Sequence, residues 1–284
     1  MTSTAYTPPP PRYPQKAKKQ STAQLLVAIA ALLVVLVVAS TAAPKLLRSA
    51  LGQSAGERER LQQIEAAILD LRNAERSAWS NTESARDFND QVQRATLTML
   101  DRLDELATGN TIDDVVARSL AKHTRDTLPL MDRYRRLSSN AERMNAFDMA
   151  SARSRRELER NIAVMQQGAD MAKQVMNQTR TFPDMVRSDL REAGFRPHEV
   201  DRTVSAVQAS MRDTGRLRMI ELDGQVFEYI RDMGKHLLET WGTWSVDSDG
   251  MVLFERERDI PRFNRLADQL QRATAEAERL LLGN

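Results

Sequence analysis

His198-Glu199-Val200-Asp201-Arg202 opens like the helical zinc-protease signature His-Glu-x-x-His. In that signature two imidazoles one helical turn apart hold the metal, and the Glu acts as general base. Here the place of the second imidazole is taken by Arg202. Pro197 sets the segment at a helix start, where acidic side chains complement the positive end of the helix dipole. Capping is therefore the reading for Glu199 and Asp201. Asp247-Ser248-Asp249-Gly250 has the composition of part of a calcium loop, but in that frame the closing bidentate Glu falls on Arg256, a cation. Glu255 and Glu257 beside it leave room for weak adventitious binding only. A hairpin turn is the expected role.

Other chemistry is equally sparse. No Gly-rich phosphate loop, Gly-x-Ser-x-Gly elbow or carboxylate pair occurs in a strand context. The chain has no cysteine, which removes disulfides, thiolate metal sites, Cys nucleophiles and lipid attachment at an N-terminal Cys. Its histidines are His123, His198 and His236, too few to support an imidazole-based site. Asp113-Asp114 reads as first-turn helix charge. Arg153, Arg155, Arg156 and Arg160 alternate with Glu157 and Glu159, a solvated helix face and not a phosphate-tracking stripe. The thirteen methionines fall mostly at core spacings. The expectation is a non-enzyme with no metal, no cofactor and no nucleic-acid partner.

The elements that would position any site follow from composition. In 284 residues, 28% are charged and only 5% aromatic, with 11 glycines. That is enough chain for one or two domains, but it is a poor composition for a large β-sandwich or a nucleotide-binding α/β enzyme. The net charge of +2 conceals an asymmetry. Residues 1–23 carry Arg12, Lys16, Lys18 and Lys19 without an acid, leaving 37 basic against 39 acidic residues beyond them. The sequence pI near 9.0 therefore describes a tail and not a domain. That tail holds five of the ten prolines and is expected to be disordered and extended.

Leu25–Ala39 is fifteen consecutive apolar residues, and Ser40-Thr41-Ala42-Ala43 prolongs it uncharged. At about 1.5 Å per residue, Leu25–Ala43 reaches roughly 28 Å, close to the ~30 Å of a bilayer's hydrocarbon core. A transmembrane helix over 24–43 is predicted, with Leu25–Ala43 in contact with lipid. A cleaved signal peptide is the rival, since Ser40-Thr41-Ala42 offers small residues at suitable spacing. The 23-residue leader and Pro44 stand against cleavage. The cations before the span favour a cytoplasmic N-terminus. In a bacterium, the protein would then be a single-pass inner-membrane protein, with a linker over 44–56 and a periplasmic domain over 57–284.

That domain reads as all-α. From Arg58 to Thr108 there is neither Gly nor Pro, and Leu61, Ile64, Ile68, Leu71, Val92, Met99, Leu103 and Leu106 share one heptad-like register. Glu75, Thr82, Asn89 and Thr96 make the middle of that seam polar. One helix of about 75 Å is expected there, stopped at Gly109. Thr111 and Asp114 form a capping box for the next helix, kinked at Pro129 and ending near Ser138-Ser139-Asn140. A third helix should break at Phe182-Pro183-Asp184, and a short one should end at Gly194 with Phe195 folding back. Pro197 opens a long segment expected to divide near Asp223-Gly224. Trp244-Ser245-Val246 and Met251-Val252-Leu253-Phe254 flank an Asp-Gly turn, a strong hairpin cue, and Asp259-Ile260-Pro261 opens the last helix. The fold class is thus an elongated antiparallel helical bundle or coiled coil with one hairpin at about 244–254.

Trp241, Trp244, Val246, Phe254 and Phe263 gather around this hairpin and form the candidate interaction patch, with Trp244 expected to dock the hairpin onto the last helix. Trp244-x-Val246, Asp249-Gly250, Phe254 and then Phe263-Asn264-x-Leu266 resemble the C-terminal pattern of a family of helical bacterial envelope proteins and lipoproteins of unknown function. The resemblance spans about residues 241–284. It implies an envelope location and a helical domain, and it implies no chemistry. This chain lacks the lipidated Cys, so the apolar helix would serve as the anchor. The functional expectation is a tethered bundle that scaffolds or binds a protein partner or a second copy of itself. The alternative is a ligand-sensing bundle that signals through a partner protein, because nothing after Ala43 could form a second span.

Overall fold

In the computed structural model, residues 59–282 are described, apart from 61, 65, 72, 75–84, 214–215 and 249. The basic tail, the apolar stretch Leu25–Ala43, the linker to 56 and Trp79 lie outside the described residues. Among the described residues, no helix is long and apolar enough to cross a membrane.

Helical backbone occupies 59–60, 62–64, 66–71 and 73–74, and then α1 (Ala85–Leu106). The expected single rod over 58–108 does not form. Arg102 Nη1 donates to Asp70 Oδ2 at 2.8 Å although 32 positions separate them, and one straight helix would hold those residues about 48 Å apart. Arg60 Nη2 likewise donates to Asp114 Oδ2 at 3.0 Å. The two helical stretches therefore lie side by side and antiparallel. Their apolar stripes explain it: Ile64, Ile68 and Leu71 share one core with Val92, Met99 and Leu103, whereas a lone rod would leave both stripes in water.

Beyond Leu106, Arg118 Nη1 covers the loop carbonyls, donating to Ala107 O at 2.7 Å and Gly109 O at 2.6 Å. The predicted capping box opens α2 (Ile112–Arg143). Asp114 N donates to Thr111 Oγ1 at 3.2 Å, and Thr111 N donates back to Asp114 Oδ2 at 3.0 Å. Helix α2 contains Pro129 and continues past Ser138-Ser139-Asn140, because Tyr134, Ser138 and Ala141 keep one face buried. Its stop uses no glycine. Asn145 takes φ 52, with Ala146 N bonded to Ala141 O at 2.8 Å and Asn145 N to Glu142 O at 2.9 Å, the paired bonds of a Schellman cap.

Helix α3 (Arg155–Glu192) starts where the Ser154 hydroxyl accepts from Glu157 N at 3.2 Å. It does not break at Pro183. A helix-interior proline costs about 3 kcal/mol, but Phe182, Val186 and Leu190 are each fully buried, and each such side chain contributes roughly 1.5–3 kcal/mol. They continue the face of Val175 and Thr179, so burial wins. Gly194 (φ 84) ends the helix with the expected fold-back, Phe195 N bonding Leu190 O at 3.1 Å.

Helix α4 (Pro197–Asp213) is capped by Glu199, whose Oε2 accepts from Arg196 N at 3.0 Å. Helix α5 (Arg216–Glu239) runs through Asp223-Gly224 without a division there. The strands β1 (Trp244–Val246) and β2 (Val252–Phe254) pair antiparallel, Trp244 opposite Phe254 and Val246 opposite Val252. Helix α6 (Ile260–Leu282) closes the chain. Helix α3 is central, packed most extensively on α5 and also on α2 and α4, while α6 lies on α5 and α1 on α2. Close approach explains Gly168: a Cβ added there would stand 2.4 Å from the Phe227 ring of α5.

Candidate interaction site

The hairpin is built onto the end of α5. Thr240 N and Trp241 N still bond helix carbonyls, at 3.1 Å to His236 O and 3.3 Å to Leu238 O, before Gly242 (φ 85) turns the chain away. Trp244 then folds back, and its Nε1 donates to Leu237 O at 2.9 Å. The contact supplies a carbonyl near the helix terminus with a donor. Trp241 and Trp244 meet edge to face, with centroids 5.6 Å apart and planes at 85°. Trp244 is thus tied to the end of α5.

The link to α6 comes from β2. Phe254 packs on Phe263 at 5.3 Å, and His236 of α5 lies 5.5 Å from Phe254 and 6.4 Å from Phe263. His236 Nε2 is 2.8 Å from Asp259 O. A carbonyl oxygen only accepts, so Nε2 carries the proton. Of the five patch residues, Phe254 and Phe263 are buried, Trp241 and Trp244 half-buried, and Val246 is 42% exposed. Glu255 N bonds Thr243 O at 3.0 Å and Asp247 N bonds Met251 O at 2.9 Å. By antiparallel alternation, Trp244 and Val246 between them turn their peptide groups to the open edge. Asp247 Oδ1 accepts from Met251 N at 2.9 Å, the hairpin-turn role expected of it.

Two other features of the bundle bear on function. At its centre, the Tyr134 hydroxyl of α2 hydrogen-bonds Asp223 Oδ2 of α5. Phe227 stands edge-on to Tyr134 at 5.7 Å. Burial pushes the Asp223 carboxyl well above the usual carboxylate range, and the Tyr134 bond opposes the shift. Sequence reasoning missed this pair, although Ile220, Asp223, Phe227 and Ile230 share one helical register that flags a buried acid. It also missed His236, which sits on the register of Tyr229 and Met233. The second feature is an open groove of about 710 Å³ between α2 and α3, lined by Pro129, Leu137 and Met171 together with Arg133, Arg136 and Gln167.

Among the described residues, no group of three or more His, Cys, Asp or Glu side chains could hold a metal. His198 is exposed on the first turn of α4. Gly52-Gln53-Ser54-Ala55-Gly56 spells the nucleophile-elbow letters, and it falls outside the described residues. No protein-family model matches this chain, and no curated protein or solved structure matches it either.

Proposed function

We propose that the chain is a non-catalytic, membrane-tethered helical bundle that acts as a protein-interaction or structural module in a bacterial envelope, with the hairpin as its contact surface. The observation that supports the reading is the half-buried Trp241–Trp244 pair beside the exposed Val246 on an open strand edge. Tryptophan pairs with one wet face are enriched at binding surfaces, and a free strand edge offers peptide groups to a partner. The tether in this reading is Leu25–Ala43, with the tail in the cytoplasm and the bundle in the periplasm. The resemblance of residues 241–284 to envelope proteins supports the location.

Crosslinking the full-length protein in cells with a membrane-permeant reagent tests the surface. Val246→Asp, at an exposed position, should leave helix content intact and remove the crosslinked neighbours. Unchanged neighbours would refute the hairpin as the contact. For the tether, Ser3→Cys and Ser54→Cys serve as probes in a chain with no other thiol. An impermeant maleimide should label position 54 and spare position 3, and the reverse pattern would overturn the orientation. The groove between α2 and α3 favours a second reading, a ligand-sensing bundle that signals through a partner. In that case Arg133→Glu, and not Val246→Asp, would change the set of neighbours.

A further inference from the structure

Asp223 has an unusual setting for a carboxyl group. It is 6% exposed and its partner Tyr134 is 1% exposed. Oδ2 takes the Tyr134 hydroxyl bond, while Oδ1 has no protein partner. The Phe227 ring of α5 stands against Tyr134, and Gly224, next to Asp223, packs close to Ala172 of α3. Several charged side chains of the same elements pair with one another. Asp132 pairs with Arg135 and Arg136 on α2, Lys173 of α3 with Glu228 of α5, and Arg218 with Glu221 on α5. No lysine, arginine or histidine bonds Asp223 among the described residues. An ionised carboxylate with one hydroxyl donor is strongly disfavoured in such a place.

Water could relieve it only by entering, and the helices beside it pack closely. A Cβ added at Gly224 would stand 3.3 Å from Ala172 Cβ, and the Phe227 ring closes over Gly168. Tyr134 of α2 covers the carboxyl, so solvating an ionised Asp223 fully requires α5 to shift against α2. We propose that Asp223 is a proton-controlled latch: with the carboxyl protonated, α5 is held against α2 and α3, and loss of that proton releases it. Because α5 carries α6 and the hairpin, release would also move the interaction end. The latch holds or fails independently of what the hairpin binds.

The sign follows from linkage. In the unfolded chain an Asp titrates near ~3.9, whereas the enclosed carboxyl keeps its proton to higher pH. Over that interval the closed form holds one more proton, so it weakens as pH rises. The opening equilibrium constant should grow about tenfold per pH unit, or about 1.4 kcal/mol, until buried Asp223 itself titrates. The effect of His123 has the opposite sign: its imidazole is lowered to about 4 by burial, so it weakens the fold on acidification.

Hydrogen exchange by mass spectrometry on the full-length protein in detergent micelles, corrected for intrinsic rates, reads the latch directly. Protection of the α5 amides around Asp223 should fall about tenfold per pH unit in the wild type. It should stay flat in Asp223→Asn, which keeps the shape and still accepts the Tyr134 hydroxyl. Tyr134→Phe removes only the opposing donor, so the fall should persist and extend to higher pH. A flat wild-type profile overturns the latch, as does an equal fall in Asp223→Asn. Should the Asn variant fail to fold, the wild-type and Tyr134→Phe profiles still decide.

Discussion

The middle and the C-terminal end of α5 each carry aromatic rings and a buried titratable group, and the two sites solve opposite problems. Around Tyr134, Asp223 and Phe227 the polar atoms face each other in a buried layer, and Asp223 Oδ1 is left without a protein partner. At the hairpin end the polar atoms serve the backbone: Trp244 Nε1 bonds Leu237 O, and His236 Nε2 bonds Asp259 O. The buried histidines repeat the contrast. His123 lies 5.1 Å from Phe182, the rings tilted by 49°, with Nε2 unpartnered, whereas His236 has a carbonyl at Nε2 and only Nδ1 without a partner. A polar group placed on an unpaired helix carbonyl tolerates burial and ties elements together. One placed in the packed centre makes the fold sensitive to protons.

Substitutions can break that contrast, beginning with the largest. Phe227→Ala empties the space beside Gly168 and Tyr134, and a buried Phe lost this way costs about 3–5 kcal/mol. Chemical denaturation of the full-length protein should register most of it, and a loss below about 1 kcal/mol would mean that the layer is not buried. Next comes His123. Its folded form titrates at about 4 and its unfolded form at 6.5. Its stabilising effect is complete above the higher value and is lost as pH falls towards the lower one, at about 1.4 kcal/mol per pH unit. His123→Leu should flatten the acid limb of the stability profile, and an unchanged limb would remove His123 from the argument.

At the hairpin end the effects should be smaller. Trp244→Phe keeps a ring but deletes the donor to Leu237 O, worth about 0.5–1.5 kcal/mol. A loss rivalling that of Phe227→Ala would erase the distinction between centre and end. Smallest of all is Arg262→Gln, which breaks the exposed pair with Glu239 at 2.6 Å. Surface pairs contribute about 0–1 kcal/mol and fade with salt, so its effect on the melting temperature should vanish in high salt.

Much of this was legible from residue types alone. The capping box at Thr111, the Gly194 stop with Phe195 and the Asp-Gly hairpin are local devices, each written within a few residues. The errors came where tertiary burial overrode a local breaker. Pro183 stays helical because Phe182, Val186 and Leu190 are enclosed, and Ser138-Ser139-Asn140 stays helical because Tyr134 and Ala141 are. The absence of Gly and Pro over 58–108 suggested one rod, since no breaker announces the side-by-side packing that Arg102 and Asp70 reveal. The Asn145 stop and the start of α3 were both written in the chain, as Asn and as Ser154-Arg155-Arg156-Glu157. The bond of Trp244 Nε1 to Leu237 O was not legible, because the carbonyl that receives it is a backbone group that composition does not display.

The Arg60–Asp114 contact joins the first described residues to the start of α2. The same Asp114 oxygen also receives Thr111 N and Thr111 Oγ1, so one carboxylate both anchors the incoming chain and seals the helix that follows. A mechanical load drawn through residue 59 would meet this junction before any of the core. Traction strong enough to pull Arg60 away would also disturb the seal of α2, and the helix holding Tyr134 would then begin to unravel from the end nearest the applied force.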